Sequence, residues 1–295
     1  MRSSRRTSRR GTRSKTFSRC WQKPAACKQN EKRGKSMEIC VCLKQVPETQ
    51  DVGLDKDTHT LQRDAATLIL NPADAAALEL AYRLKKVHGG SVTALSMGGK
   101  KAAAVLSYAA AQGADATVLV SDPLFAGSDT FATAQVLSRA VRRLGPFDLI
   151  LCGRRAIDGE TGQVGGELSV MLDAAYLANV FSLGVEGNEA FCTSLHEEGF
   201  DEYAVRLPAV LSICEGAAQE HMPSLLDLRR ARKVPLEGLF AGDLGFQKGE
   251  AGLAGSKTRV RRVFSPEKGM RQCAFAEDLP AGAFAICKKL AEVTG

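Results

Sequence analysis

From Met37 onward the chain alternates short apolar runs with longer amphipathic segments, and this alternation narrows the possible folds more than any other feature. Four of the apolar runs are nearly continuous and rich in β-branched residues, which is typical of buried strands. They are EICVCLKQV (38–46), SVTALSMGG (91–99), DATVLVSD (115–122) and FDLILC (147–152). Strands of this kind, separated by helices, predict an open parallel sheet with helices on both faces.

Helical patterns fill the intervals between these runs. Asn71 and Pro72 form a typical helix start, because Asn is a good N-cap and Pro suits the first helical position. That helix should end at Gly89–Gly90, since glycine commonly follows a helix C-terminus. Further helices are predicted over 100–113 and 129–144. The fold class predicted from this order is α/β.

After residue 175 the pattern changes to short runs separated by Gly turns, which predicts a small antiparallel segment. The runs are NVFSLGVEG, NEAFCTSLHEEG, FDEYAVRL and PAVLSICEG. SLLDLRRARKVPL (224–236) mixes apolar and basic residues on a predicted short helix. Residues 237–295 give weaker signals and end in a predicted helix around 284–293, so we expect an extended C-terminal arm that packs on a partner subunit. The α/β domain is thereby predicted over 37–236.

The basic character of the chain is confined to its first 36 residues. Residues 1–36 hold thirteen of the 40 Lys and Arg residues and only one acid, Glu31, so the remainder is net acidic. This head has too little apolar periodicity to bury a core, and three interpretations compete. It is a basic arm for nucleic acid or anionic lipid, a transit peptide, or sequence translated from a wrong start upstream of Met37. We favour the last and expect no nucleic-acid partner.

Cysteine and histidine usage argues against a disulfide framework and against a metal site. The nine Cys include no C-x-x-C pair, and Cys40 and Cys42 on the first predicted strand read as small buried hydrophobes. The four His are scattered. An odd Cys count without framework spacing indicates a reducing compartment, so we expect a cytoplasmic protein. No apolar stretch is long enough to predict a membrane span.

The segment GRRAIDGETGQVGGEL (153–168) follows the fourth predicted strand without a spacer and is predicted to open a fourth helix near Thr161. In open parallel sheets, ligands collect beyond the carboxyl ends of the strands. Two other strand ends are also rich in Gly or turn residues, namely Val46-Pro47 and Met97-Gly98-Gly99. We therefore expect these three ends to form one pocket.

The loop composition suits a phosphate-bearing ligand. Glycine lets backbone N–H groups approach a phosphate, and a helix N-terminus adds partial positive charge. Arg154 or Arg155 can pair with a phosphate, while Asp158 or Glu160 can accept from ribose hydroxyls. The alternative is a surface turn with solvated charges. Neither a Walker loop nor a G-x-G-x-x-G fingerprint is present, so the residues indicate a nucleotide without identifying it.

The loop CGRRAIDGETGQVGG (152–166) resembles the nucleotide loop of electron-transfer flavoprotein beta subunits. Other segments match that family in the same order: VCLKQVP (41–47), Asn71-Pro72, LSMGG (95–99) and LPAVLS (207–212). The resemblance covers residues 37–236 and implies an α/β domain of the adenine-nucleotide-binding type. Most members hold AMP, whereas an electron-bifurcating branch holds FAD in that place and binds NADH beside it.

The loop is more similar to that of the FAD-holding branch, which tends to read R-Q-A-I-D-G-D-T-A-Q-V-G-P. This chain departs from it at Arg155, Glu160, Gly162 and Gly166. The nucleotide contacts that the resemblance implies form four groups along the chain. They are Cys42; Asn71, Pro72, Ala73 and Asp74; Met97; and Gly153, Arg154, Arg155, Ala156, Ile157, Asp158, Gly159, Glu160, Thr161, Gly162, Gln163 and Val164. For Cys42 and Met97, core packing is an equal alternative.

The resemblance also implies a docking segment at about 214–232, with Leu225 as the apolar anchor that enters a pocket on a dehydrogenase. Here the chain departs from the family, because Ala218-Gln219-Glu220-His221-Met222 stands where Asn-Glu-Pro-Arg-Tyr is usual. The function implied is that of an electron-carrier subunit with FAD, or alternatively AMP, and with NADH as a donor. It would be an oxidoreductase only together with an alpha subunit.

Its further partners would be an acyl-CoA dehydrogenase and a ferredoxin or flavodoxin. The alternatives are an AMP-binding subunit that does not bifurcate electrons and a non-redox module that binds adenine nucleotides. No side chain of this chain is expected to act as an acid, base or nucleophile, because the flavin carries the redox chemistry.

Overall fold

The computed structural model describes residues 36–48, 67–261 and 278–294. The basic head and a turn that the sequence suggests at Asp55–Thr58 lie outside the described residues. The strands are β1 Met37–Leu43, β2 Gln45–Pro47, β3 Leu68–Leu70, β4 Gly90–Met97, β5 Ala116–Val120, β6 Leu149–Gly153, β7 Ala175–Glu186, β8 Glu189–His196, β9 Gly199–Arg206, β10 Ala209–Ile213 and β11 Leu236–Leu239.

The helices occupy most of the intervals that the sequence predicts. They are α1 Pro72–His88, α2 Ala103–Ala111, α3 Thr130–Leu144, α4 Val164–Leu172, α5 Leu225–Ala231, α6 Gly252–Gly255 and α7 Leu279–Thr294. Two short 3-10 helices, Lys100–Ala102 and Pro123–Phe125, precede α2 and α3. Among the described residues, no helix combines the length and the apolar character needed to cross a bilayer.

The main sheet has nine strands in the order β11-β5-β4-β1-β6-β10-β7-β8-β9. Seven of them, from β11 to β7, run parallel, and β8 and β9 continue the sheet as an antiparallel hairpin. Helices α1 and α2 cover one face of the sheet, and α3 and α4 cover the other. The predicted open parallel α/β fold with a small antiparallel segment is confirmed.

Strand β10 was expected to be antiparallel, and that expectation is wrong. It lies between β6 and β7 and pairs parallel with both. All five of its residues are buried, which is the pattern of a strand covered on both faces. The hairpin strand β9 instead exposes most of its residues.

The first predicted strand, 38–46, is two strands in the structure. It breaks at Lys44, whose backbone N–H donates to the Asp74 carboxylate at 2.7 Å. Beyond this point β2 leaves the main sheet and pairs antiparallel with β3. The break brings the end of β1 against the beginning of α1.

The predicted C-terminal arm begins inside the sheet. β11 pairs parallel with β5 at the sheet edge, and the buried residues Leu244 and Phe246 beyond it join the core on the α3 face. A domain boundary between 236 and 237 would therefore cut β11. Helix α7 differs, because its apolar residues Phe284 and Ile286 are exposed. Its packing on a partner subunit stays a prediction.

The order of the strands locates the position where this fold binds ligands. From β1 the chain passes through α1 to β4 and β5 on one side, and then through α3 to β6 on the other side of β1. Connections thus leave β1 and β6 in opposite directions. In open α/β sheets, ligands bind outside the carboxyl ends of the strands at such a switch point.

Candidate functional site

The loop Gly153–Val164 lies at this switch point. It continues from the carboxyl end of β6 and turns along the end of β10, where the Arg154 N–H donates to the Ile213 carbonyl at 2.7 Å. The pocket beside the loop therefore lies at the ends of β6 and β10, and the expectation that Val46-Pro47 and Met97-Gly98-Gly99 would share it is wrong, because neither segment lines the cavity. The end of β10 was missed in the sequence because that strand was read as antiparallel.

Asp74, in the first turn of α1, ties two of these strand ends together. Its Oδ2 accepts from the Lys44 N–H at 2.7 Å, and its Oδ1 accepts from the Gly153 N–H at 2.8 Å. The carboxyl group is buried, and this burial raises its pKa to about 6 although the amide donors oppose the rise. Asp74 thus holds the loop entrance in place.

Gly153 has no room for a side chain. A Cβ at this position would lie 2.3 Å from Asp74 Oδ1 and 2.9 Å from the Ala73 Cβ. Both distances are shorter than real Cβ contacts allow, so α1 can approach the end of β6 only where residue 153 is glycine. The glycine at the head of the loop is explained by this close approach.

Asn71 precedes α1 as predicted, but its side chain does not cap the helix. Instead its Nδ2 donates to the Arg155 carbonyl at 3.0 Å, and its Oδ1 accepts from the Ile157 N–H at 3.2 Å. Asn71 is itself buried. The Asn71 side chain therefore fixes the backbone of the loop at Arg155 and Ile157. The spacing of residues around Asn71 in the sequence does not reveal this role.

The backbone N–H groups at residues 71–74 are mostly bound within the chain. The Asn71 N–H donates to the Lys44 carbonyl at 3.0 Å, and the Asp74 N–H donates to the Asn71 carbonyl at 2.9 Å. Pro72 has no N–H. Of these four residues, Ala73 is the one that lines the adjacent cavity.

The tip of the loop is closed by its own backbone contacts and by two ion pairs, one of which joins Arg155 Nη1 and Glu160 Oε2 at 3.9 Å. Lys44 Nζ lies 2.7 Å from Asp158 Oδ1, and the Glu160 N–H donates to the Ala156 carbonyl at 2.8 Å. Glu160 and Gly162 have φ of +54° and +63°. Because a right-handed helix cannot include such residues, α4 begins at Val164 and not near Thr161 as predicted.

A cavity of about 230 Å³ opens beside the loop. It is lined by Ala73, Arg154, Arg155, Ile157, Glu160, Leu195, Cys214 and Glu215. The first five belong to the predicted contact set, and the last three were not predicted. Two guanidinium groups and two carboxylates at one cavity mouth suit a ligand that carries both phosphate and hydroxyl groups.

The other predicted contacts do not line this cavity. Gly159, Thr161 and Gly162 are exposed on the loop, and Gln163 Oε1 accepts from the Thr130 hydroxyl at 3.2 Å. Cys42 and Met97 pack in the core on the α3 face. Their contact with a ligand stays a prediction.

The buried thiols near the loop are suited to packing. Cys42 pairs in register with Cys152 on β6, and burial, together with neighbouring thiol and carboxyl groups, raises the pKa of both. For Cys42 the contact with Cys40 contributes most. Because the thiolate is the reactive form, these groups are poor nucleophiles. Among the described residues, no cluster of His, Cys, Asp and Glu could hold a metal ion.

The docking segment, residues 214–232, lies on the α2 side of the sheet and contains α5. The helix begins with a capping box between Ser224 and Asp227. Leu225, its first residue, is 85% exposed, and none of the α5 residues is buried. The predicted anchor is thus presented to solvent on a short helix.

Comparison with known proteins assigns the family. The model of the electron transfer flavoprotein domain matches residues 58–243. The electron transfer flavoprotein subunit beta of Thermoanaerobacterium thermosaccharolyticum is 38% identical over 231 residues, which are 78% of this chain and 88% of that protein. Protein FixA of Azorhizobium caulinodans is 35% identical over 258 residues, with 84% and 92% covered.

A third relative is the caffeyl-CoA reductase-Etf complex subunit CarD of Acetobacterium woodii. It is 36% identical over 231 residues, which are 78% of this chain and 88% of that protein. The family model covers more than half of the chain, and these relatives match 78% and 84% of it. The chain therefore belongs to the electron transfer flavoprotein family, as a beta subunit.

Proposed function

We propose that this beta subunit holds the adenylate part of FAD in the cavity beside the 153–164 loop and passes electrons as part of a heterodimer with an alpha subunit. The observation that carries the proposal is the loop itself. Its backbone is held at the sheet switch point by Asn71 and Asp74, and its Asp158 side chain pairs with Lys44. The loop places Arg154 and Arg155 at the cavity.

The residues around the cavity fit an adenine nucleotide. Arg154 and Arg155 can pair with phosphate oxygens, and Glu160 and Glu215 can accept hydrogen bonds from ribose hydroxyls. Ile157 supplies an apolar wall for a ring. The match of charge and polarity supports a nucleotide with at least one phosphate group.

The size of the cavity supports a cofactor site that is shared between this chain and the alpha subunit. Its volume of about 230 Å³ is below the roughly 300–1,000 Å³ that pockets for drug-sized ligands occupy. It is suited to part of FAD, so the remainder of the cofactor would lie against the alpha subunit. The same volume makes AMP the alternative ligand, since AMP would need no second surface.

When bound, FAD would supply the redox chemistry, and the residues of this chain would bind, orient and shield it. We propose NADH as the donor, and an acyl-CoA dehydrogenase and a ferredoxin or flavodoxin as exchange partners, in the cytoplasm. The likeness of the loop to the FAD-holding branch supports this over an AMP-binding subunit. The family match gives no support to a non-redox nucleotide module.

The test is the cofactor content of the full-length chain co-expressed with its alpha subunit. Nucleotides are released from the purified heterodimer and quantified by chromatography. We expect two FAD per heterodimer and no AMP. One FAD and one AMP would overturn the assignment of FAD to this chain, and a heterodimer without flavin would overturn the electron-carrier role.

A pair of arginine variants locates the site. The double variant Arg154→Ala with Arg155→Ala should lower the content of the second nucleotide at least severalfold, because two charge-assisted contacts to phosphate are lost. Arg143→Ala is the matched control, since Arg143 is an exposed arginine in the last turn of α3, which precedes β6 at the opposite end of the sheet. Equal contents in both variants would place the nucleotide elsewhere.

A further inference from the structure

We propose that Glu79 and His221 are positioning residues that hold the docking segment against α1, so that Leu225 faces a partner dehydrogenase. This inference rests on the proposed electron-transfer function. It concerns His221, which lies inside the predicted docking segment 214–232 and four residues before Leu225.

Glu79 is a buried carboxylate on α1. Its hydrogen-bond donors belong to Arg83 and His221, which are both partly exposed. The Glu79 side chain is 4% exposed. Glu79 Oε1 accepts from the Arg83 Nε at 2.6 Å, while Oε2 lies 2.6 Å from His221 Nδ1 and 3.3 Å from the His221 backbone N. A buried carboxylate needs such donors, so Glu79 and His221 depend on each other.

The imidazole ring of His221 makes a stacking contact in addition to its contact with Glu79. It stacks on the Tyr82 ring with the centroids 4.2 Å apart and the planes 20° from parallel. Lys86 Nζ lies 5.5 Å from the centroid of the same tyrosine ring. His221 therefore has one position in which both the stacking and the Glu79 contact are satisfied.

The two residues before His221 are tied to α1 and α2. Arg83 donates to the Gln219 carbonyl at 2.8 Å, so this arginine joins Glu79 to the docking segment a second time. The Tyr108 hydroxyl donates to Glu220, and Gln112 Nε2 donates to the Tyr108 oxygen at 2.6 Å. Residues 219–221 are thus held at three successive positions.

The side chains that follow His221 are largely exposed to solvent. Met222, Leu225 and Leu226 are 91%, 85% and 75% exposed, and no residue of α5 is buried. Arg230 donates to the Ala110 carbonyl at 3.5 Å at the far end of the helix. Helix α5 also contacts α2, and β11 beyond it is paired in the sheet, so the tie at 219–221 fixes the N-terminal end of α5, which carries Leu225.

A fixed tie matters because binding a partner costs ordering entropy. A segment that is already held in its bound orientation loses less freedom when a partner buries Leu225, and this shows as higher affinity. Removal of the tie should weaken docking without touching the nucleotide loop, which is held by Asn71 and Asp74 instead.

The test uses the co-expressed full-length heterodimer as the electron acceptor of an acyl-CoA dehydrogenase from the same source. KM for the heterodimer, kcat and flavin content are measured together. His221→Ala and Glu79→Gln should each raise KM about three- to tenfold, which corresponds to about 0.7–1.4 kcal/mol of docking free energy. The kcat at saturation and the flavin content should not change, which separates positioning from loss of fold.

Two further variants make the test specific. His221→Asn should restore part of the affinity, because an amide N–H can donate to Glu79 from nearly the position of Nδ1. His196→Ala is the matched control, since it removes another surface His–carboxylate pair, with Asp201 at 3.3 Å on the β8–β9 hairpin. This control should leave KM unchanged.

Leu225→Ala distinguishes the failure of this inference from the failure of the proposed docking. If Leu225→Ala raises KM while the His221 and Glu79 variants do not, the positioning role is wrong and the docking stands. If Leu225→Ala also leaves KM unchanged, the docking segment itself is wrongly assigned. A loss of flavin in His221→Ala would overturn the inference as well, because it would show a general structural role.

Discussion

Helix α1 carries two buried carboxylates, and the two regions that they hold differ in kind. Asp74 holds the nucleotide loop through the backbone N–H groups of Lys44 and Gly153. Glu79 holds the docking segment through the side chains of Arg83 and His221 and the His221 N–H. One carboxylate is therefore tied to neutral groups at the ends of central strands, and the other is tied mainly to side chains on the surface.

This difference separates a fixed site from an adjustable one. Strand ends cannot move without breaking hydrogen bonds between the strands. The Asp74 contacts therefore hold the loop in a fixed position relative to the sheet. Side chains such as Arg83 and His221 can change rotamer or be replaced without disturbing the sheet. We infer that the docking segment can change between relatives while the loop keeps its geometry.

The largest expected effect comes from removing the two carboxylates one at a time. Asp74→Ala leaves the N–H groups of Lys44 and Gly153, which donate in part-buried hydrogen bonds, without acceptors, and each such group costs up to about 1–3 kcal/mol. Relief of the burial cost of the charge offsets part of this loss. We expect unfolding free energy to fall by about 2–5 kcal/mol, measured by urea denaturation of the full-length chain.

Glu79→Ala is the matched variant for this comparison. Arg83 is half exposed and His221 is a quarter exposed, so their freed donors can reach water, and the expected loss of stability is smaller. If Glu79→Ala destabilises the chain as much as Asp74→Ala does, the distinction between a backbone-held loop and a side-chain-held segment is wrong.

An intermediate effect is expected from Gly153→Ala. The new methyl group would lie 2.3 Å from Asp74 Oδ1 and 2.9 Å from the Asp74 backbone N, so α1 or the loop must shift. We expect a loss of about 1–3 kcal/mol, which is typical of overpacking. Nucleotide content should fall with it, because the same shift moves Arg154 and Arg155.

Gly159→Ala is the control for this change, because a Cβ there would meet no atom within 4 Å. It tests whether any added methyl in the loop is harmful. Unchanged stability in Gly153→Ala would mean that the close approach of α1 to β6 is not required.

Much of the fold could be predicted because its signals are local. The four central strands and their helices follow from apolar runs and caps, and each lies within a few residues of its predicted bounds. β10 was misread as antiparallel, since its position between β6 and β7 depends on a crossover that local pattern does not contain. β11 was missed because LEGL is short and has a central glycine.

The site was predicted less completely than the fold. The resemblance implied that the loop and the start of α1 belong to one site, and the structure brings the two into contact. The use of the Asn71 side chain could not be predicted, because its partners Arg155 and Ile157 are more than 80 residues away. The pairing of Glu79 with His221 spans 142 residues and has no sequence signature at all.

The smallest expected effect is a pH dependence that belongs to Asp74. Burial raises the pKa of this carboxyl from 3.8 to about 6 in the folded chain. The folded state therefore takes up a proton more readily than the unfolded state, and the cost of the buried charge is relieved as pH falls through 6. Stability from this group is present at low pH and lost as pH rises.

Between pH 7 and pH 5 the wild-type chain should gain about 1 kcal/mol relative to Asp74→Asn, since one unit of pKa corresponds to about 1.4 kcal/mol. The asparagine variant keeps the shape of the side chain and cannot titrate, so the difference between the two urea curves isolates Asp74. A difference that stays constant over this range would show that the carboxyl titrates normally. The amide donors of Lys44 and Gly153 would then fully compensate for the burial of the Asp74 charge.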